Sequence, residues 1–176
     1  MKYISILRGI NVSGQKKIKM SDLKSLCESL GFENVTTYIQ SGNVIFDSAS
    51  KDSADLKAKI ERAIKVEYAF QVPVVMRTHK NFANIINNCP YHPITDATKV
   101  LVTFLSEVPD KSRLNRLIEC VVEPEKLVVN GAEAYVYCPN GYGNSKLSNA
   151  FLEKKLGVEA TTRNWKSVSK LYELSM

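Results

Sequence analysis

The chain has 176 residues, 44% of them apolar and 24% charged. That is a globular mixture, which excludes a disordered protein and leaves room for one large or two small domains. Lys and Arg number 24 against 18 Asp and Glu, for a net charge of +6. The opening "MKYISILRG" has too few apolar residues before Arg8 for a signal h-region or a bilayer span, so a cytoplasmic protein with no membrane partner is expected.

Taken in order, "KYISILR" (2–8) has the β-branched and aromatic content of a buried strand. Met20, Leu23, Leu26, Cys27 and Leu30 then recur at helical spacing and stop at Gly31, a natural helix C-terminus. "VTTYIQ" and "NVIFD" flank Ser41-Gly42 and predict a hairpin. Leu56, Ile60, Ala63 and Ile64 mark a second helix capped by Asp52 or Ser53, and "VPVVMR" (72–77) a fourth strand. Phe82, Ile85, Ile86 and Cys89 predict an appended helix.

The same order returns. "KVLVTFL" (99–105) is a strand, Leu114, Leu117, Ile118 and Val121 a helix, and "KLVVN" and "EAYVYC" a hairpin across Asn130-Gly131. Leu147, Ala150 and Phe151 start a helix that Gly157 ends, "VEATT" (158–162) closes the sheet, and Trp165, Val168 and Tyr172 add a last helix. The predicted fold is α+β, a duplication of two ferredoxin-like βαββαβ units with an extra helix each, over residues 1–95 and 96–176.

Residues 1–21, 139–152 and 160–172 hold nine basic residues and no acid, leaving 15 basic against 18 acidic residues elsewhere. The whole positive excess thus sits in three segments, either solvated loops or the walls of an anion site. In a split βαβ unit, the loop after the first strand meets the turn between the second and third, so "RGINVSGQKKIK" and "IQSGN" share one end of the first unit. In the second unit "PNGYGNSK" and "TTRNWK" share the opposite end. All four segments share one cleft between the units if those unlike ends face each other.

"GYGNSKL" is neither a Walker loop, which needs four residues between its glycines and Ser or Thr after the lysine, nor G-x-G-x-x-G. What remains is an anion-attracting helix start, or a turn with Ser145 as an N-cap. The candidate ligand-binding residues are Arg8, Asn11, Lys17, Gln40, Ser41, Asn43, Tyr142, Ser145, Lys146, Arg163, Asn164 and Trp165. Arg8 leads in its loop, and Arg163 and Asn164 are expected to be exposed. Trp165 fits the apolar stripe of the last helix, with base stacking the alternative.

The segments "LRGINV", "YIQSGNVIF", "GYGNSKL" and "ATTRNWKSV" resemble, in that order and across nearly the whole chain, the signatures of a bacterial family known as domain of unknown function 1697. The resemblance implies the same duplicated ferredoxin-like fold and no established activity. In the family pattern the place of Asn144 is commonly basic, and this chain lacks that charge.

Asp, Glu and His are missing from the candidate set, and these supply most general acid-base catalysis and hard-metal ligation. Cys89 and His92 fall short of the four ligands of a structural zinc, and no cofactor is assigned. Cys27, Cys89, Cys120 and Cys138 have no C-x-x-C pair and read as buried free thiols. The expected function is binding of a phosphorylated or otherwise anionic ligand, a nucleotide or single-stranded nucleic acid, with Tyr142 or Trp165 to stack. The alternative is an enzyme that stabilises an anionic small molecule with Arg8, Lys17, Lys146 and Arg163. The RNP1 pattern is absent from both hairpins.

Overall fold

A computed structural model describes every residue, Met1–Met176. The first repeat comprises β1 (Lys2–Leu7), α1 (Met20–Ser29), β2 (Glu33–Tyr38), β3 (Asn43–Asp47), α2 (Ser53–Tyr68), β4 (Val74–Thr78) and α3 (His79–Asn87). The second comprises β5 (Val100–Leu105), α4 (Lys111–Ile118), β6 (Lys126–Asn130), β7 (Glu133–Tyr137), α5 (Asn149–Leu156), β8 (Ala160–Asn164) and α6 (Trp165–Leu174). The fold is α+β, two repeated units.

Each repeat forms a four-stranded antiparallel sheet, ordered β2-β3-β1-β4 in the first and β6-β7-β5-β8 in the second. The order follows from chain direction. A helical crossover makes β2 parallel to β1, with a gap one strand wide between them. The hairpin return of β3 fills that gap antiparallel to both. β4 then closes the free side of β1.

Alternation along β1 puts Tyr3 and Leu7 on the helix-covered face, where they join Val44, Phe46 and Val74. The helices answer with Leu23 and Cys27 from α1 and with Leu56, Ile60 and Ile64, one turn apart, from α2. Phe32 stacks on Phe46 with ring centroids 4.2 Å apart. Ile4, Ile6, Ile45 and Val75, which point to the other face, are equally buried, which is why the strand reads as a continuous apolar run. In the second unit Leu101, Leu105 and Val136 meet Leu117, Leu152 and Leu156. Asp52 caps α2 and Asp110 caps α4, each accepting two backbone N–H groups.

The compact units are Met1–Ala83 with Leu171–Met176, and Asn84–Lys170, so their boundary falls inside α3 and α6. In the first, the C-terminal residues are tied in by His79, whose ring stacks on Tyr172 at 5.1 Å and whose Nδ1 lies 2.9 Å from Ser175 Oγ. In the second, Tyr135 donates its hydroxyl to the Ile85 carbonyl, and Tyr91 donates to the Tyr135 carbonyl.

Two boundaries differ from expectation. α5 starts at Asn149, because Ser148 accepts from the Phe151 N–H and so caps the helix, while the buried Leu147 belongs to the preceding loop. β8 runs two residues further than predicted, to Asn164, and passes directly into α6.

Candidate functional site

At one end of the first unit the β1–α1 loop, the β2–β3 turn and the start of β4 converge. The Leu7 N–H donates to the Gly42 carbonyl at 2.8 Å, and the Arg8 N–H to Pro73 at 2.9 Å. Asn11 fixes the loop: its Nδ2 donates to the carbonyls of Ile18 and Gln40, and its Oδ1 accepts from the Ile18 N–H, all within 2.8–2.9 Å. Lys16 is tied down too, its Nζ donating to the Gln71 carbonyl at 2.7 Å. Between Gly9 and Lys16 the backbone turns left-handed five times, at Gly9, Asn11, Ser13, Gly14 and Lys16, three of them non-glycine. Gly42 is required by space as well as by its φ of +79°, since a Cβ there would lie 2.5 Å from Ile10 Cδ1.

Within the turn, Asn43 is fully buried and its Nδ2 donates to the Tyr38 carbonyl and to Ser41 Oγ. Asn11, Ser41 and Asn43 therefore build the end of the unit. Lys17 and Gln40 are exposed, their side chains take part in none of these bonds, and Arg8, just past the end of β1, is half-buried.

The second unit brings the segment 138–149 to the end of β8. Tyr142 begins a 3-10 turn, Tyr142–Asn144, and its hydroxyl points inward, 3.4 Å from Thr162 Oγ1. Burial pushes that phenol above the ordinary tyrosine range. Thr162 Oγ1 donates to Asn149 Oδ1 and pairs with Thr103 Oγ1, and Asn149 Nδ2 donates to the Ala160 carbonyl. Ser145 does not cap the helix; its Oγ accepts from the Leu147 N–H two residues on. Lys146 is exposed.

The expected exposure of Arg163 is not what is found. Because β8 extends through Asn164, Arg163 lies inside the sheet opposite Val102, 8% exposed, with Nη1 donating to Thr161 Oγ1 and the Thr162 carbonyl. Burial pushes its guanidinium down to about 10, so it is still a cation at neutral pH. Asn164 is exposed, but its Oδ1 accepts from the Ser167 N–H and caps α6. Trp165 is buried with its ring edge-on to His92 at 5.7 Å, the core reading rather than a stacking platform.

Sequence reasoning missed Arg77 and Asn149. Arg77 was legible, since "MRTHK" in β4 and α3 lines up with "TRNWK" in β8 and α6. Asn149 carried no signal beyond its place before an apolar stretch. No group of three or more His, Cys, Asp or Glu side chains is placed to hold a metal ion, and no helix is long and apolar enough to cross a membrane.

Among solved structures, the chain is similar to that of a conserved bacterial protein from Streptococcus pneumoniae, with 24% sequence identity and a TM-score of 0.79 over 99% of this chain and 98% of that one. At that identity the likeness speaks for the fold alone. No curated protein matches. A family model described as "Protein of unknown function (DUF1697)" matches residues 1–135, which takes in the first unit's motifs and stops before "GYGNSKL" and "ATTRNWKSV". With more than half of the chain matched, the protein belongs to this family of unknown function.

Proposed function

We propose that the protein binds a phosphorylated or otherwise anionic ligand, a nucleotide or single-stranded nucleic acid, at the loop end of its first unit. One observation carries the reading: the acid-free segment 1–21 is held in a fixed course by Asn11 while the Lys17 cation is left exposed. Because the loop backbone is already ordered, an anion that engages Lys17 costs the rotamer freedom of that side chain but not the ordering of the loop as well. Arg8 and Lys19 add charge of the same sign, and the free Gln40 amide supplies a neutral donor. In the second unit Lys146 offers a single exposed cation in a loop without acids. Both histidines are engaged elsewhere, His79 with Ser175 and Tyr172 and His92 with Trp165, which favours binding over acid-base chemistry at this loop.

The test is titration with tripolyphosphate and with a short single-stranded oligonucleotide at low salt, followed by amide NMR. Lys17→Gln and Arg8→Ala are each expected to weaken binding by about 1.5–3 kcal/mol, the scale of a charge-assisted hydrogen bond, and Lys154→Gln on α5 to leave it unchanged. A steep loss of affinity with salt assigns nucleic acid, and a shallow one a small ligand. Shifts that avoid residues 8–19 with both probes refute the reading.

A further inference from the structure

A cavity of about 320 Å³ opens in the second unit between the segment 90–96 and the sheet; none of the candidate ligand-binding residues lines it, and its His92 is the residue that meets Trp165 edge-on. That volume is at the small end of ligand sites, the size for one ring with a substituent. Its floor follows from strand register. Val100 pairs with Tyr137 across β5 and β7, and Tyr137 pairs with Lys126 across β7 and β6, so the three side chains stand in a row on one face. Its wall is Tyr91, whose ring lies 5.8 Å from that of Tyr137 at 44°. Tyr91 is anchored by its hydroxyl on the Tyr135 carbonyl, which fixes the ring.

The segment that makes the wall belongs to a long connection without regular structure between α3 and β5, a form more often functional than a short turn. Two lysines and one carboxylate line the cavity. Asp96 is spent locally: its Oδ1 accepts from the Thr98 N–H at 2.9 Å and from Thr98 Oγ1 at 2.6 Å, and its Oδ2 lies 3.7 Å from Lys99 Nζ. Lys126 is exposed and enters no ion pair, so the cavity carries one unmatched positive charge beside two tyrosine rings.

We infer that this cavity is a binding site for a small planar aromatic monoanion, its ring held against Tyr91 and Tyr137 and its carboxylate or equivalent group held by Lys126. The two requirements are separable. The tyrosine pair selects a flat ring by offset or edge-on contact, and the lysine selects charge.

Benzoate, benzamide and cyclohexanecarboxylate serve as probes of charge and flatness, with amide NMR on the full chain as the readout. Benzoate is expected to shift residues 91–100, 126 and 137 saturably, with benzamide and cyclohexanecarboxylate each weaker. Lys126→Gln, on an exposed edge strand and so without consequence for folding, is expected to reduce benzoate affinity about tenfold, as loss of a charge-assisted hydrogen bond does. Tyr137→Leu is expected to reduce it about threefold to tenfold through the lost ring contact, and Lys154→Gln not at all. Absence of a saturable shift up to tens of millimolar benzoate overturns the inference. Equal binding of benzamide, or an unaltered Lys126→Gln titration, overturns it too.

Discussion

Arg77 and Arg163 are the same residue of the repeat, present twice. Each is the fourth residue of the fourth strand of its sheet, each pairs with the third residue of the central first strand, Ile4 or Val102, and each donates Nη1 to the carbonyl of the residue before it at 2.9 Å. The equivalence continues into the appended helices, where Phe82 and Val168 are buried three residues into α3 and α6. A cation retained at the same site of both sheets belongs to the architecture of the repeat before it belongs to any ligand.

The caps that follow these arginines carry the first prediction. Thr78 and Asn164 occupy matching places: Thr78 Oγ1 accepts from the Asn81 N–H, and Asn164 Oδ1 accepts from the Ser167 N–H, each the third helical residue. Thr78→Ala and Asn164→Ala are each expected to cost about 1 kcal/mol in urea unfolding. If Asn164 served only a ligand, its replacement would leave the midpoint in place.

Asn11 is a stronger case. Its side chain makes three hydrogen bonds and its backbone sits at φ 56°, a region asparagine tolerates and alanine does not. Asn11→Ala is expected to cost about 2–4 kcal/mol, from net terms near 1 kcal/mol per hydrogen bond plus the left-handed penalty. Asn11→Gly, which removes only the bonds, should fall between. A loss of anion binding with unchanged stability in both variants would contradict this assignment.

That outcome shows where sequence legibility ended. Period and turn chemistry revealed the repeat, because β1 and β5 are apolar runs and Ser41-Gly42 and Asn130-Gly131 mark the turns of the hairpins that follow each, β2–β3 and β6–β7. Which motif residues face solvent was not legible. Asn11 in its loop, and Asn43 and Asn164 at the ends of strands, are polar residues in polar stretches of sequence, the mark of a ligand site and equally of a backbone stitched to itself. Arg163 misled because a β-strand that ends in Arg-Asn reads as its own exposed exit, whereas the strand carries both residues to the first turn of α6. Of the two residues expected to be exposed, Asn164 is and Arg163 is not; the candidate cations Lys17 and Lys146 are exposed.

Gly42 tests the meeting of the β1–α1 loop and the β2–β3 turn. A Cβ at this residue would lie 2.5 Å from Ile10 Cδ1 and 2.9 Å from Leu7 Cβ, and the φ of +79° is itself unfavourable for any other residue. Gly42→Ala is expected to cost about 2–3 kcal/mol, combining overpacking with the dihedral penalty. Ile10→Val removes the nearest atom and should recover part of that loss, giving a favourable coupling in a double-mutant cycle. Additive single effects would place the strain in the backbone alone.

The thiols give a prediction in pH. Cys27 is fully buried, and burial, with a smaller push from Glu28, raises its thiol from the ordinary 9.0 to about 12. A group whose folded pKa lies above its unfolded value contributes stability that is complete below the unfolded value and is lost as pH rises through the folded one. Stability should therefore decline as pH climbs from 9 toward 12, because the unfolded chain releases this proton first. Tyr135, raised by burial from 10.0 to about 12, adds to the decline from its own ordinary value upward. Cys27→Ala should flatten the first part of that slope, just above pH 9, and leave the tyrosine part. Cys120 behaves differently: the sequence placed it among the buried thiols, but it is half-buried at the end of α4, where the chain leaves the helix. At neutral pH, Cys27→Ser is then expected to cost about 1–3 kcal/mol for a hydroxyl in an apolar core, and Cys120→Ser next to nothing. Equal costs for the two serine variants, or an unchanged alkaline slope in Cys27→Ala, would remove Cys27 from the core.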